Sequence, residues 1–210
     1  MGAGRSGSAP RVVVAGGSIG GLTAAHVLGD AGCDVLVLER SPGPLTGRGA
    51  GIVLHPATVR WWREHGVRPL DELGPKMTRL RYLDASGQIA HEQPCRYRVS
   101  SFDALYRDLS ARMAPDRHRR GAAVAGFDID DAGVTVALSG GATERADLLV
   151  CADGIQSLAR RRLLPDVTPR YAGYVAWRGT VVEHDLTRRA LDALLGAIAY
   201  HLIPASHFLT

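Results

Sequence analysis

The chain has 210 residues, 46% of them apolar and 22% charged, with a formal net charge of +4. That is the composition of an ordinary globular protein and excludes collagen-like, low-complexity and coiled-coil classes. The basic side is almost all arginine, since Lys76 is the single lysine. Arginines cluster at Arg117–Arg120 and Arg160–Arg162, but acids are interspersed, so a solvated surface is expected there and no nucleic-acid partner. No apolar run is long enough to span a bilayer, and no basic segment followed by an apolar one marks a secretory signal. Cys33, Cys95 and Cys151 are far apart and odd in number. They read as reduced thiols of a cytoplasmic protein, and neither a disulfide framework nor a metal site is expected.

Residues 1–10, MGAGRSGSAP, form a Gly/Ser-rich tail expected to be disordered. Its match to a myristoylation pattern is what such a tail gives by chance, and no membrane anchor is expected. Arg11–Ala15 is a short β-branched run, a buried strand. A glycine-rich turn, Gly16–Gly21, follows it. Leu22, Ala25, Val27 and Leu28 then recur at helical spacing, with Gly32 as the stop. Asp34–Glu39 is a second strand. Strand, turn, helix and strand in under 30 residues make a parallel βαβ unit.

Pro42–Gly51 reads as a loop, and a helix is expected from Pro56 to about Gly66. Thr78–Asp84 and Gln88–Gln93 form a hairpin around Ala-Ser-Gly. Phe102–Met113 is helical, with Phe102, Leu105, Tyr106, Leu109 and Met113 on one face. Ala122–Asp130, Val134–Leu138 and Thr143–Cys151 are strands, the last returning to a buried parallel sheet through Leu-Leu-Val-Cys-Ala. A short helix spans about Gln156–Leu164. Tyr171–Glu183 is strand-like and opens a more antiparallel region.

The turn Gly16-Gly17-Ser18-Ile19-Gly20-Gly21 fits the dinucleotide fingerprint with Ser18 in the second glycine place. The first glycine permits the tight turn, the small second residue lets a pyrophosphate approach, and the third lets helix and strand pack. The helix N-terminus offers N–H groups to phosphate. Glu39, 23 positions after Gly16, closes the second strand, where a carboxylate can accept both ribose hydroxyls. The same residues also spell Gly16-x-Ser18-x-Gly20, the nucleophile elbow of an α/β-hydrolase. An elbow needs earlier strands and an upstream oxyanion loop, and it leaves Glu39 without a role.

A second motif, Ala-Asp-Gly-x-x-Ser-x-x-Arg, places Asp153 and Gly154 at the carboxyl end of an apolar strand, where open α/β sheets bind ligands. Ser157 and Arg160 lie one helical turn apart. An Asp-Gly turn before a capped helix is also common without any function.

In this order the glycine turn, Glu39-Arg40 and the Asp-Gly motif resemble the FAD-dependent aromatic hydroxylases of the para-hydroxybenzoate hydroxylase type. The resemblance is nearest to their 2,6-dihydroxypyridine hydroxylase branch, through GGSIGGLTAAHVLGDAGCDVLVLERSPGPLTGRGAGIVLHP, SFDALYRDL and YAGYVAWRG (171–179). It implies an α/β fold: a Rossmann-like FAD-binding domain over 11–168 with β-hairpin insertions, then the start of a mixed-sheet substrate domain over 169–210. It implies FAD held by Gly16, Ser18, Ile19, Gly20, Gly21, Glu39, Arg40, Arg48, Gly51, Asp153, Gly154 and Ser157. Of these, Arg48 lies in the loop that resembles the family's flavin-contacting segment. It implies NAD(P)H as co-substrate, with O2 hydroxylating a small electron-rich aromatic or N-heteroaromatic ring. Candidate bases are His55, Tyr200, His201 and His207, and Arg178 is a candidate partner for an anionic substrate. Oligomeric state stays open, a homodimer included. The sequence departs from the family at Phe102, where many members carry Arg or Gln. The family's later Gly-Asp motif is not found, since Gly29-Asp30 lies in the first helix, so the chain reads as truncated at its C-terminal end. A truncated nucleotide-binding fragment without catalysis is therefore the alternative, and the hydrolase is third.

Overall fold

The computed structural model describes residues 8–48, 50–65, 68–204 and 206–210. Most of the expected tail (1–7), Gly49 and the helix stop at Gly66 lie outside them. In chain order the elements begin with β1 (Arg11–Ala15), α1 (Ile19–Asp30), β2 (Asp34–Glu39), β3 (Gly51–Leu54) and α2 (Pro56–His65). They continue through β4 (Lys76–Leu83), β5 (Ile89–Ser101), α3 (Phe102–Ala111), β6 (His118–Arg120), β7 (Val124–Asp130) and β8 (Gly133–Leu138). The remainder are β9 (Thr143–Ala146), β10 (Leu148–Cys151), α4 (Leu158–Leu163), α5 (Arg188–Leu194), β11 (Ala197–Ile203) and β12 (Ser206–Leu209). The chain divides into two compact units.

The first unit comprises the described part of Met1–Gly47 with Tyr106–Val175. Its centre is a parallel sheet in the order β10-β1-β2-β6. The β-branched run of β1 is there because both faces of the strand are covered. Val12, Val13 and Val14 are almost wholly excluded from solvent, as are Val37 and Leu38 of β2. Each such side chain contributes about 1.5–3 kcal/mol relative to an exposed position. On one face α1 packs on β1, β2 and β10, burying Leu22 and Ala25. On the other, Val13, Leu36 and Leu38 join Phe127, Val134, Val136 and Leu138 in one apolar cluster. The last four belong to a three-stranded antiparallel sheet, β7-β8-β9.

The second unit, Arg48–Leu105 with Ala176–Thr210, holds a five-stranded mixed sheet in the order β12-β11-β4-β5-β3. β11 and β4 run parallel and the other pairs antiparallel. The expected hairpin is its longest feature. Asp84 closes the turn by accepting from the Ser86 hydroxyl at 2.6 Å and the Gln88 amide at 3.0 Å. Tyr82 of β4 and Tyr200 of β11 stack with ring centroids 5.3 Å apart.

The βαβ unit and the helices opening at Pro56 and Phe102 form as expected, within a few residues at their ends, and the hairpin forms with its second strand continuing past Gln93 to Ser101. Three readings change. Residues 143–151 are two strands: Thr143–Ala146 pairs with β8, and after Asp147 the chain turns to run parallel to β1. Asp147 makes that switch stable, because its carboxylate accepts from the Arg11 amide at 2.8 Å. β10 does rejoin the parallel sheet, but as an edge strand, with Leu148 48% exposed where burial was expected. Tyr171–Glu183 is not a strand: it carries no regular structure before a short 3-10 turn at Glu183–Asp185, and Trp177 is 95% exposed. Its apolar residues suit a strand, yet no strand among the described residues pairs with it, and an unpaired backbone has nothing to hold it extended.

Candidate functional site

In the first unit, the carboxyl ends of β1, β2 and β10 bring together two motifs that are 137 positions apart, at Gly16 and Asp153. The turn after β1 is pinned from both sides. The Gly16 amide donates to the Leu38 carbonyl, and the Ala152 amide donates to the Ala15 carbonyl, both at 2.8 Å. Gly16 has φ +108°, a conformation that side chains resist, and a Cβ there would lie 2.3 Å from the Ala152 carbonyl oxygen. A Cβ on Gly21 would lie 1.8 Å from the Gly16 carbonyl oxygen. These two glycines are therefore demanded by the packing of turn, helix and Asp-Gly strand. Gly20 is different: the space its Cβ would enter is open to 4 Å. Ser18 is the N-cap of α1, its carbonyl accepting from the Leu22 amide at 2.9 Å, while its hydroxyl makes no capping bond. The hydroxyl and the first-turn amides of Ile19, Gly20 and Gly21 form the polar end of a 12-residue helix, where anions are favoured.

Glu39 is 6% exposed, unusual for a carboxylate, and its two oxygens explain why it is tolerated. Oε2 accepts from the Gly17 amide and Oε1 from the Ser41 amide, each at 2.8 Å. Burial works against ionisation, but these amides, the Ser41 hydroxyl and the Arg40 charge outweigh it and hold the carboxyl below its usual range. Glu39 is thus an ionised acceptor with lone pairs to spare for hydroxyl donors. Arg40 beside it is exposed.

Asp153 leaves β10 and turns back over α4. Its Oδ2 accepts from the Leu158 amide at 2.8 Å, and its Oδ1 is buried without a hydrogen-bond partner. Gly154, at φ +76°, reverses the chain with open space around it. Ser157 caps α4, its hydroxyl oxygen accepting from the Arg160 amide at 3.0 Å. A turn that admits no Cβ at Gly16 or Gly21, an orphaned carboxylate oxygen and an ionised acceptor at the second strand's end form a donor-acceptor set that fits an ADP moiety.

Sequence reasoning missed His118. It opens β6, is 8% exposed, and places its Nε2 2.7 Å from the point a Gly17 Cβ would occupy. No pattern announced it, because it sits inside the arginine cluster. Those arginines are engaged within the chain: Arg117 with Asp34, Arg119 with Glu144 at 2.6 Å, and Arg162 with Asp128 at 2.9 Å. Among the described residues Ser18 has no histidine bonded to its hydroxyl, so the elbow reading gains no general base.

The remaining candidates lie in the second unit. Arg48 is exposed, and Gly51 starts β3 in open space. Phe102 begins α3, its amide donating to the Ala50 carbonyl at 3.1 Å. His55 precedes α2 and is exposed, as is Arg178 within the irregular 171–182 segment. His201 is half-buried on β11 opposite Phe208 of β12, and His207 is exposed. Cys33, Cys95 and Cys151 are all free of disulfides. No group of three or more potential metal ligands is found among the described residues, nor any helix long and apolar enough to cross a membrane.

The chain is 37% identical over 200 residues to 2,6-dihydroxypyridine 3-monooxygenase of Paenarthrobacter nicotinovorans, covering 95% of this chain and 50% of the relative. It is 29% identical over 183 residues to 6-hydroxynicotinate 3-monooxygenase of Bordetella bronchiseptica, covering 80% and 47%. The solved 2,6-dihydroxypyridine-3-hydroxylase from Arthrobacter nicotinovorans superposes with a TM-score of 0.89 at 36% identity, over 97% of this chain and 52% of that one. A variant of HpxO from Klebsiella pneumoniae, complexed with FAD, gives 0.80 at 27% identity, over 95% and 53%. The chain thus spans about half the length of the relatives it matches. A family profile described as "FAD binding domain" matches residues 10–198, nine-tenths of the chain, and the chain belongs to that family.

Proposed function

We propose that the first unit binds the ADP half of FAD and that the chain serves an FAD-dependent monooxygenase. The observation that carries this is the convergence of the Gly16–Gly21 turn, the buried ionised Glu39 and the Asp153–Gly154 turn at one sheet end. Glu39 accepts the adenosine ribose hydroxyls. The amides of Ile19, Gly20 and Gly21 and the Ser18 hydroxyl face the pyrophosphate, Gly154 allows close backbone approach, and Arg40, Asp153 and Ser157 border the same end. Arg48 and Gly51 are assigned to the flavin by resemblance. Residues 11–168 are the FAD-binding domain, and 169–210 belong to the substrate region.

The reaction class follows from relatives that hydroxylate dihydroxypyridine and hydroxynicotinate. The substrate is a small electron-rich aromatic or N-heteroaromatic ring, with NAD(P)H and O2 as co-substrates and the cytoplasm as the compartment. Oxidation of NAD(P)H and activation of O2 are the chemistry a bound flavin supplies. The chain's own residues hold the nucleotide and place a ring. His201, beside the Tyr82–Tyr200 stack, is the base candidate with an ordered setting. A second reading, nucleotide binding without turnover by residues 1–210, is favoured by the exposure of the whole 171–182 segment, which holds Arg178.

Purified protein tests both. Flavin absorbance bands with substrate-dependent NAD(P)H consumption are the expected result for the enzyme. Flavin bands without consumption leave the second reading. A protein that neither carries flavin nor takes it up overturns both.

A further inference from the structure

His118 is the buried titratable group that nothing above employs. It is more than nine-tenths buried, and its Nε2 has no hydrogen-bond partner. Natural folds rarely leave such a group without a reason. Its position is specific. A Cβ added to Gly17 would meet His118 Nε2 at 2.7 Å and Glu39 Cβ at 2.8 Å, so imidazole and carboxylate stem share the space that Gly17 leaves empty. The Gly17 amide above that space is the group that donates to Glu39 Oε2. The other side of the ring faces a hydroxyl. Arg120 Nη2 donates to the Ser110 hydroxyl oxygen at 3.1 Å, and the hydroxyl proton is then free to point at His118 Nδ1, 3.5 Å away. In the tautomer with Nδ1 as the acceptor, the ring proton is on Nε2, facing the Gly17–Glu39 corner.

We propose that His118 is a positioning residue of the nucleotide site: its uncharged imidazole wedges beneath Gly17 and keeps the Glu39 carboxylate turned to the adenosine ribose, so that acid weakens flavin binding through this ring. The inference rests on the flavin reading above. The charged and titratable groups that face the ring are Glu39 from β2 and Arg120 from its own strand, with the Ser110 hydroxyl from α3. Burial, aided by Arg120, pushes the imidazole below its ordinary value, and Glu39 only partly offsets this. At neutral pH the ring is therefore uncharged. When acid protonates it, a cation appears against the Glu39 stem and draws the carboxylate away from the Gly17 amide and from any ribose. Glu39, held below its own ordinary value, stays ionised while this happens. The acid transition is thus the histidine's.

The test is FAD titration of the 210-residue protein, followed by flavin fluorescence at about pH 7.5 and 5.0, with thermal melting recorded alongside. For the unaltered chain the dissociation constant rises at least ~10-fold on acidification to pH 5.0, which lies below the ordinary histidine value, on the side to which burial shifts this ring. His118→Gln keeps an N–H donor but cannot be protonated. It binds more weakly at pH 7.5, and its affinity changes less than ~3-fold between the two pH values, so the gap closes in acid. Parallel pH profiles in the two proteins overturn the proposal. So does a constant affinity in the unaltered chain, which decides the matter even if the variant does not fold. No flavin binding at either pH overturns the flavin reading, and this inference with it.

Discussion

Two segments of the chain carry comparable sequence signals and meet opposite ends. Residues 11–39 and 171–183 each combine glycine, β-branched or aromatic residues and a charged residue suited to a ligand. The first becomes the best-buried part of the molecule, with Val13, Val14, Leu22 and Val37 wholly enclosed. The second has no regular structure over 171–182 and lies exposed. The difference is one of partners. β1, α1 and β2 supply most of each other's partners within 29 residues, so their pattern is nearly sufficient to specify their structure. An extended segment must find its hydrogen bonds elsewhere. A nucleotide motif is legible because it carries its own scaffold, and a strand-like run is not.

The sharpest way to break that contrast is to fill the turn. Gly21→Ala places a methyl where the Gly16 carbonyl oxygen lies 1.8 Å away, a backbone atom and not a flexible tip that could yield. Loss of measurable FAD binding is expected, with destabilisation of ~3 kcal/mol or more as helix and strand are forced apart. Chemical denaturation and flavin titration read the two effects. A fully stable Gly21→Ala protein would show that the close packing of turn and helix is not needed.

Glu39→Ala comes next. It removes the acceptor of two amides in a buried corner, and each orphaned donor costs ~1–3 kcal/mol. A fall in FAD affinity of ~100-fold is expected if Glu39 is the acceptor of both ribose hydroxyls, as proposed. The pH dependence has a definite sign. A carboxyl held below its ordinary value in the fold stabilises the protein above about pH 4.5, and this is lost as pH falls through the lower folded value. The stability gap between the unaltered chain and Glu39→Ala, followed by denaturation, should therefore shrink below about pH 4.5. A gap unchanged at pH 3 would mean that Glu39 is not held ionised.

These residues also mark how far the sequence could be read. Gly16, Gly21 and Glu39 were legible because turn, helix end and strand end are local, and their spacing is set by backbone geometry. Asp153 was legible through the apolar strand before it, which rejoins the parallel sheet as expected, though as an edge beside β1. β6 was not: three residues, His-Arg-Arg, look like surface charge, and only register with Val37, Leu38 and Glu39 makes them a strand. β3 and β11 hid for the same reason, since each is defined by a distant partner, Val99 opposite Val53 and Tyr82 beside Tyr200. The division at 146–147 was hidden because Asp147 acts through Arg11, 136 positions away. His118 was hidden by both faults at once.

Asp153→Asn should have a smaller effect. The amide oxygen can still accept from Leu158, so the bond to the first turn of α4 is largely kept and ~1 kcal/mol or less of stability is lost. What changes is the oxygen without a partner, Oδ1, which becomes a donor if the NH2 takes its place. A change in FAD affinity larger than the change in stability would identify Oδ1 as a ligand contact. Equal changes would confine Asp153 to turning the chain.

The smallest effect belongs to the exposed segment. Trp177 is 95% exposed and Arg178 lies beside it without burial. Truncating an exposed side chain usually moves stability by no more than ~0.5 kcal/mol. Trp177→Ala and Arg178→Ala should each leave the melting temperature and FAD affinity of the 210-residue protein within error. Turnover is the quantity that separates their roles. If the protein turns over, Arg178→Ala should raise the KM for an anionic ring while leaving flavin binding alone, because an ion pair to the substrate's charge acts on binding rather than on the cofactor. Should either substitution destabilise the fold by more than ~1 kcal/mol, the segment has packing partners in solution, and the contrast between the two regions would become one of degree.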